Sequence, residues 1–231
     1  MIVSHRYRFI FVKTHKTAGS SLEMSIGPLS GASDIISHME TNLDSGVPRN
    51  YGPDGKLGAL YSRHKLLRKV ISRHSPKLGA YYYEHMPAWR IRELVGEEVW
   101  GSYFKFCVER NPWDKVVSYY LWKVHGQNRK MLPFEQWIKR KPHRLPTDAE
   151  LYFDGDHCLM DKVYEFRQLD EMIADLKIRT GIDIPKPLLR EKTDIKTDRK
   201  PYQDYYNDDT RERIAQLFAR EIALMGYEFS S

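Results

Sequence analysis

The segment RFIFVKTHKTAGSS, residues 8–21, decides the fold class of this chain. Residues 8–12 are a short β-prone apolar run bounded by charge, which predicts a buried strand. A loop of small and polar residues follows, and residues 22–26 can form a helix. A strand, a small-residue loop and a helix in this order create the geometry with which α/β proteins hold phosphate groups.

The loop of residues 13–21 also has the side chains that an anion site needs. Ala18 and Gly19 let backbone N–H groups approach an anion, and the positive end of the next helix lies beside them. Lys16 contributes a charge, and three hydroxyl side chains can donate. A nucleoside-triphosphate loop has its lysine after the last glycine, whereas here Lys16 precedes Gly19. A plain β–α turn without a ligand is the alternative. The candidate anion-binding residues are Lys16, Thr17, Ala18, Gly19, Ser20 and Ser21.

The composition is that of a globular protein with a modest basic excess. With 231 residues, 41% hydrophobic and 29% charged, the chain is long enough for one domain and is not disordered throughout. Lys+Arg 37 against Asp+Glu 31 gives +6, which favours an anionic ligand without indicating nucleic acid. We find no run of the roughly 18–20 apolar residues that a membrane span needs, no secretory signal and only two cysteines. We therefore expect a cytoplasmic protein with no membrane span and no nucleic-acid partner.

Predicted strands and helices alternate along the rest of the chain. Strands are predicted at 103–108 and 161–165, and helices at 60–74, at 87–95, from Pro112, from Leu169 to Gly181, and from a capping box at Asp209–Glu212 to Gly226. This alternation predicts an α/β fold, a three-layer α/β/α P-loop-like domain with a mainly parallel central sheet. We expect a single domain over 1–231, with a variable insertion at about 27–80 and a variable region at about 125–160.

A second candidate anion site lies in ERNPWDKVVSY, residues 109–119. Asn111 and Pro112 predict a helix start, and Arg110 stands just before it at a strand end. Ser118 is seven residues beyond Asn111, which corresponds to roughly 10 Å along a helix. Arg110 and Ser118 can therefore meet around one phosphate, since a guanidinium suits bidentate phosphate contact. A salt bridge from Arg110 to Glu109 or Asp114, with Ser118 an ordinary helix-face serine, is the alternative.

Together these segments resemble sulfotransferases that use 3′-phosphoadenosine 5′-phosphosulfate (PAPS). HKTAGSS at 15–21 is similar to their 5′-phosphosulfate loop, PKT-x-GS/T, and FKFCVERNPWDKVVSYY at 104–120 is similar to their 3′-phosphate motif, R-N-P-x-x-R-x-x-S-x-Y. The resemblance covers most of the chain and is closest to the carbohydrate-type, Golgi-like branch and its bacterial relatives. It implies that residues 16–21 hold the 5′-phosphosulfate and that Arg110 and Ser118 hold the 3′-phosphate.

Several positions depart from the family's pattern or extend it. His15 stands where proline is usual, Lys115 where arginine is frequent, and Glu109 beside the phosphate arginine is unusual. We expect no counterpart of the family's membrane anchor, so the resemblance does not imply a Golgi location. The loop at 196–201 resembles a segment that covers the adenosine, which makes Arg199 a cofactor-binding candidate; a solvated loop is the alternative.

Sulfuryl transfer also needs a group that takes the acceptor's proton. His85, just before a predicted helix, resembles a family segment ahead of the second motif and is our candidate base, with Lys16 at the transferring group. Glu84 is the rival, followed by His15, His38 and His64, and a helix-capping or core role is the alternative for His85. We expect no metal requirement, since lysine and backbone dipoles can cover the charge.

The expected function is PAPS-dependent transfer of a sulfuryl group to a hydroxyl or amine of an acceptor, a carbohydrate or a small molecule. Two alternatives stay open: a P-loop nucleotide or small-molecule kinase, and a non-catalytic module that binds an anion or a polysaccharide. A kinase would place its lysine after the glycine and a magnesium carboxylate at a strand end.

Overall fold

The computed structural model describes residues 1–37, 50–51, 82–127, 130–188 and 200–229. Within these ranges the strands are β1 Ile2–Ser4, β2 Phe9–Val12, β3 Ile35–Ile36, β4 Phe104–Glu109, β5 Phe153–Asp154, β6 His157–Cys158 and β7 Lys162–Glu165. The helices are α1 Gly19–Ile26, α2 Ala88–Val95, α3 Glu97–Ser102, α4 Pro112–Leu121, α5 Phe134–Arg140, α6 Ala149–Tyr152, α7 Leu169–Thr180, α8 Asp208–Leu217 and α9 Ala219–Met225. A π-helical turn, Trp122–Gly126, continues α4.

The central sheet has the strand order β3-β1-β2-β4-β7. Strands β2, β4 and β7 are parallel neighbours, and β1 pairs antiparallel with both β2 and β3. Four of the five strands therefore run in one direction, which confirms the prediction of a mainly parallel sheet. The sequence reasoning missed β1 and β3, because runs of two or three residues are too short to show a period.

Side chains alternate between the two faces of this sheet, as the pleat requires. On β2, Phe9 and Phe11 pack in one apolar cluster with residues of α1 and α7. Ile10 and Val12 pack in another with residues of α2, α3 and α6. Helices thus cover both faces, and the predicted three-layer α/β/α architecture is confirmed. A third cluster joins α4, α5 and α8.

The predicted start of α4 at Asn111 and the predicted helix ends at Gly181 and Gly226 are confirmed, but the helix start predicted at Asp209 is wrong. Asn111 caps α4 by accepting from the backbone N–H of Asp114, and Gly181 ends α7 with φ 75°. The helix predicted from Asp209 to Gly226 is two helices, α8 and α9, and α8 is capped by Asn207 instead of Asp209, since Asn207 and Thr210 exchange both bonds of a capping box. Asp209 lies in the first turn of α8, where its charge faces the positive helix end.

Several predictions fall on residues that the structure does not describe. These are the helix at 60–74, most of the loop at 196–201, and the candidate site residues His38, His64 and Arg199. The extent of the single domain and of its variable stretches stays a prediction. No helix among the described residues is both long and apolar enough to cross a membrane.

Candidate active site

Both sequence motifs leave the sheet at one edge. Strands β2 and β4 are parallel neighbours with Val12 opposite Cys107, so the loop after β2 and the Arg110 turn after β4 emerge side by side. In parallel α/β sheets, ligands bind at the carboxyl ends of the strands. The strand order therefore brings together two segments about 95 residues apart in the chain, as the bond from Arg110 to Lys16 shows.

The loop between β2 and α1 has a backbone suited to an anion. Lys16 and Ala18 both adopt a left-handed φ of 62°, an uncommon conformation for residues with a side chain. Left-handed residues between right-handed ones turn successive N–H groups toward one point, the arrangement of backbone anion sites. Ser20 and Ser21 are half-buried in the first turn of α1. The Thr17 hydroxyl, in contrast, is buried and bonded at 2.8 Å to that of Thr14, so it holds the loop together.

Lys13, which the sequence reasoning missed, packs beneath this loop. A Cβ placed on Gly19 would lie 2.7 Å from Lys13 Cγ, so glycine is needed there for packing as well as for backbone approach. Lys13 Nζ donates to Glu23 at 2.7 Å and also to Glu84. Burial lowers the pKa of an ammonium, but these two carboxylates raise the pKa of Lys13 above its ordinary value. Glu84, the rival base, is thus engaged in an ion pair.

Arg110 joins the two motifs. One of its terminal nitrogens donates to Ser118 Oγ at 3.2 Å and to the Lys16 carbonyl at 3.1 Å, while Nε donates to Asp114 at 2.7 Å. Its guanidinium carbon also lies 4.4 Å from the centre of the Phe166 ring. The proposed contact with Ser118 and the alternative salt bridge with Asp114 therefore occur together, with Asp114 fixing the guanidinium that reaches Ser118.

A buried charge network lies behind Arg110 and accounts for two of the departures from the family pattern. Lys115 Nζ lies 2.7 Å from Glu109 and 2.5 Å from Asp148, and all three side chains are fully buried. Tyr152 adds a bond to Glu109 at 3.1 Å. Two carboxylates share one ammonium here. Burial accordingly raises the pKa of Glu109 to about 7, against the opposing effect of Lys115.

Two histidines stack at the same edge. The rings of His15 and His85 are nearly parallel, at 8°, with centroids 3.6 Å apart. His85 Nδ1 lies 3.0 Å from the Lys13 carbonyl, and His85 has a left-handed φ of 55°. His15 binds Asp148 through both its backbone N–H, at 2.7 Å, and Nδ1, at 2.6 Å. Burial, and then the neighbouring His15, lower the pKa of His85 to about 3, so it is neutral near pH 7.

The structure thus brings together most of the residues singled out from sequence. At one sheet edge it places Lys16, Thr17, Ala18, Gly19, Ser20, Ser21, Glu84, His85, Arg110 and Ser118, with His15 beside them. The sequence analysis missed Asp148 and Lys13, because their partners are distant in the chain and no local sequence pattern predicts such contacts. Trp122 was missed too; Lys16 Nζ lies 5.2 Å from its ring centre. In the part of the chain that is described, no group of three or more His, Cys, Asp or Glu side chains is placed to hold a metal ion.

Comparison with known proteins gives a sequence relative and a solved structure of similar fold. No protein-family profile matches the chain. A protein from Archaeoglobus fulgidus, described as an uncharacterized protein, is 34% identical over 106 residues, which are 45% of this chain and 87% of the relative. The crystal structure of a sulfotransferase from Alicyclobacillus acidocaldarius aligns with 95% of this chain and 96% of its own, at 15% identity and a TM-score of 0.45.

Proposed function

We propose a PAPS-dependent sulfotransferase activity for this chain, which belongs to one family with the Archaeoglobus fulgidus protein. The observation that carries the proposal is the position of Arg110, whose guanidinium bonds both Ser118 and the Lys16 carbonyl. Two motifs, each with an ordinary structural alternative of its own, thereby form one cationic site at the carboxyl edge of parallel strands. This is the arrangement expected for a nucleotide with phosphates at two positions.

The residues present fit PAPS. The loop of residues 16–21, with left-handed Lys16 and Ala18 and the N-terminus of α1, would hold the 5′-phosphosulfate. Arg110 and Ser118 would hold the 3′-phosphate, since Asp114 already holds the guanidinium in place. Bound there, PAPS supplies an activated sulfuryl group.

Side chains of the protein perform the other two tasks of the reaction, which are to neutralise the leaving group and to accept the acceptor's proton. Lys16 neutralises the charge that develops on the leaving phosphate oxygen, as a preorganised cation does in a water-poor site. One of the two stacked imidazoles, His15 or His85, takes the acceptor's proton; His85 is the one expected from sequence. The acceptor in this proposal is a hydroxyl or an amine of a carbohydrate or a small molecule.

A ligand-binding measurement tests the proposal. Adenosine 3′,5′-bisphosphate at about 100 times its dissociation constant should stabilise the protein by roughly 2.7 kcal/mol in a thermal-shift titration. ATP with magnesium should stabilise it less, because ATP lacks the 3′-phosphate that Arg110 and Ser118 would bind. Equal stabilisation by ATP would favour a kinase. Binding of the bisphosphate without turnover of sulfur-labelled PAPS on any acceptor would favour a non-catalytic binding module.

A further inference from the structure

Of the candidate bases in the described part of the chain, His15 is the one whose ring is held by a buried carboxylate. Asp148 accepts from the backbone N–H of His15 at 2.7 Å and bonds Nδ1 at 2.6 Å, so one carboxylate fixes both the chain and the ring. Asp148 is itself held in place: Glu221 of α9 accepts from the backbone N–H groups of Asp148, at 3.2 Å, and Ala149, at 3.0 Å. The orientation of His15 therefore depends on two other parts of the fold, the start of α6 and Glu221 of α9.

This contact determines which nitrogen of neutral His15 is basic. A carboxylate only accepts, so Nδ1 carries the proton and the lone pair is on Nε2. Burial raises the pKa of a carboxyl group, but the Lys115 ammonium and the bond from His15 hold the pKa of Asp148 at about 2, so it is ionised. An ionised, buried carboxylate behind an imidazole also stabilises the imidazolium that forms when the ring takes a proton.

His85 lacks such support. Its Nδ1 lies 3.0 Å from a carbonyl oxygen, which carries only a partial charge, and the ring is stacked against His15. A pKa of about 3 makes the imidazole neutral at pH 7 but a weak proton acceptor, because a general base works best with a pKa near the operating pH. Glu84 is engaged with Lys13. Of the three, His15 also stands next to Lys16 in the chain.

We propose that His15, oriented by Asp148, is the catalytic base of the reaction, and that His85 is a positioning residue whose ring packs against it. The inference rests on the proposed sulfotransferase function. His15 Nε2 takes the acceptor's proton as the acceptor's oxygen–sulfur bond forms and the bond from sulfur to the 5′-phosphate oxygen breaks. The bonding pair stays on that phosphate oxygen, beside Lys16. The His15 side chain is 34% exposed, which lets it return the proton to water.

Turnover and binding of variants test the assignment. His15→Asn keeps an N–H donor for Asp148 and removes the basic nitrogen. It should lower the turnover of sulfur-labelled PAPS by roughly 10²–10⁴-fold and leave the affinity for adenosine 3′,5′-bisphosphate unchanged. His85→Asn should lower turnover by less than about tenfold. The matched control is His143→Asn, an exposed histidine in the Pro142–Arg144 turn. The acceptors used are water, N-acetylglucosamine and 4-nitrophenol, with all variants compared on the one that wild type uses fastest.

The pH–rate profile separates a base from a merely structural histidine. Wild-type turnover should fall at low pH, because a protonated imidazole cannot take the acceptor's proton, and this acid limb should vanish in His15→Asn. Asp148→Asn should retain the limb and move it to lower pH, since the imidazolium loses its anionic partner. The charged and titratable groups around His15 are Lys13, Lys16, Glu84, His85, Lys115, Tyr119 and Asp148.

The outcomes distinguish this inference from the proposed function. If His15→Asn retains turnover within tenfold of wild type, or if the acid limb is lost in His85→Asn and kept in His15→Asn, His15 is not the base, while the sulfotransferase proposal stands. If wild type neither binds the bisphosphate nor turns over PAPS, the proposed function is wrong and this inference falls with it. If His15→Asn is unfolded at the assay temperature to an extent that accounts for its loss of activity, the assignment is also overturned.

Discussion

The Arg110 guanidinium donates both to a carboxylate and to neutral oxygen atoms. Nε donates to Asp114 at 2.7 Å. A terminal nitrogen donates to the Ser118 hydroxyl at 3.2 Å and to the Lys16 carbonyl at 3.1 Å. Arg110 brings its own positive charge and more than one N–H donor to a bound phosphate, whereas Ser118 brings a single neutral hydroxyl. Arg110 should therefore contribute more to binding than Ser118.

We predict that Arg110→Ala weakens binding of adenosine 3′,5′-bisphosphate by roughly 10–100-fold and Ser118→Ala by less than about tenfold. Isothermal titration calorimetry measures both. Arg144→Ala, at an exposed arginine in the Pro142–Arg144 turn, is the matched control and should not change the affinity. Unfolding of Arg110→Ala in the absence of ligand would instead assign Arg110 to a structural salt bridge with Asp114.

At the scale of elements, packing as well as hydrogen bonds stabilises the junction between β2 and α1. Gly19 opens α1 directly over the stem of Lys13, whose ammonium is anchored to Glu23 further along the same helix. The contact lies at Cγ, near the backbone, so Lys13 cannot simply swing aside. The loop that would hold the phosphosulfate therefore depends on the absence of a side chain at position 19.

Gly19→Ala should accordingly destabilise the protein by about 1–3 kcal/mol, the usual cost of overpacking a buried site. Gly101→Ala is the matched control, because a Cβ there meets nothing within 4 Å and lies inside α3. That control should be neutral or slightly stabilising, since alanine favours helix over glycine. Urea denaturation measures both; equal stability of the two variants would show that Lys13 moves away without cost.

For the molecule as a whole, the buried charge network makes stability depend on pH. The folded-state pKa of Glu109 is about 7, because burial raises it more than Lys115 lowers it, against an ordinary value of 4.5. Between these values the folded chain binds more protons than the unfolded chain does. The contribution of Glu109 to the free energy of unfolding is therefore present below about pH 4.5 and falls as the pH rises toward 7.

We predict that Glu109→Gln removes this dependence. Relative to the variant, the wild type should lose about 2 kcal/mol of unfolding free energy between pH 5 and pH 7. Urea denaturation at the two pH values gives this difference, and Glu150→Gln, at an exposed glutamate of α6, is the control that should follow wild type. Parallel pH dependence in wild type and Glu109→Gln would contradict a raised pKa for Glu109.

Local sequence was sufficient wherever a structural element is specified by its neighbours in the chain. The β2 run, the Asn111–Pro112 start of α4 and the glycine that ends α7 were all predicted, because periodicity, capping and left-handed φ depend on a few adjacent residues. The alternation of such elements was enough to predict the three layers. The capping prediction was wrong at the start of α8: the cap is Asn207, and the D-x-x-E spacing that begins two residues later had predicted Asp209.

In the candidate site, too, the sequence was sufficient only for residues that are contiguous in the chain. The two motifs, residues 15–21 and 109–119, were visible in the sequence because each is contiguous. The partner of His15 was not: Asp148 is 133 residues away, and Glu84 reaches Lys13 across 71 residues. Such pairs form only when the strand order and the packing of α2 and α6 on the sheet bring Glu84 and Asp148, which precede those helices, to the loop after β2. Local spacing contains no information about that order, so the charges that surround His15 were decided by the tertiary structure.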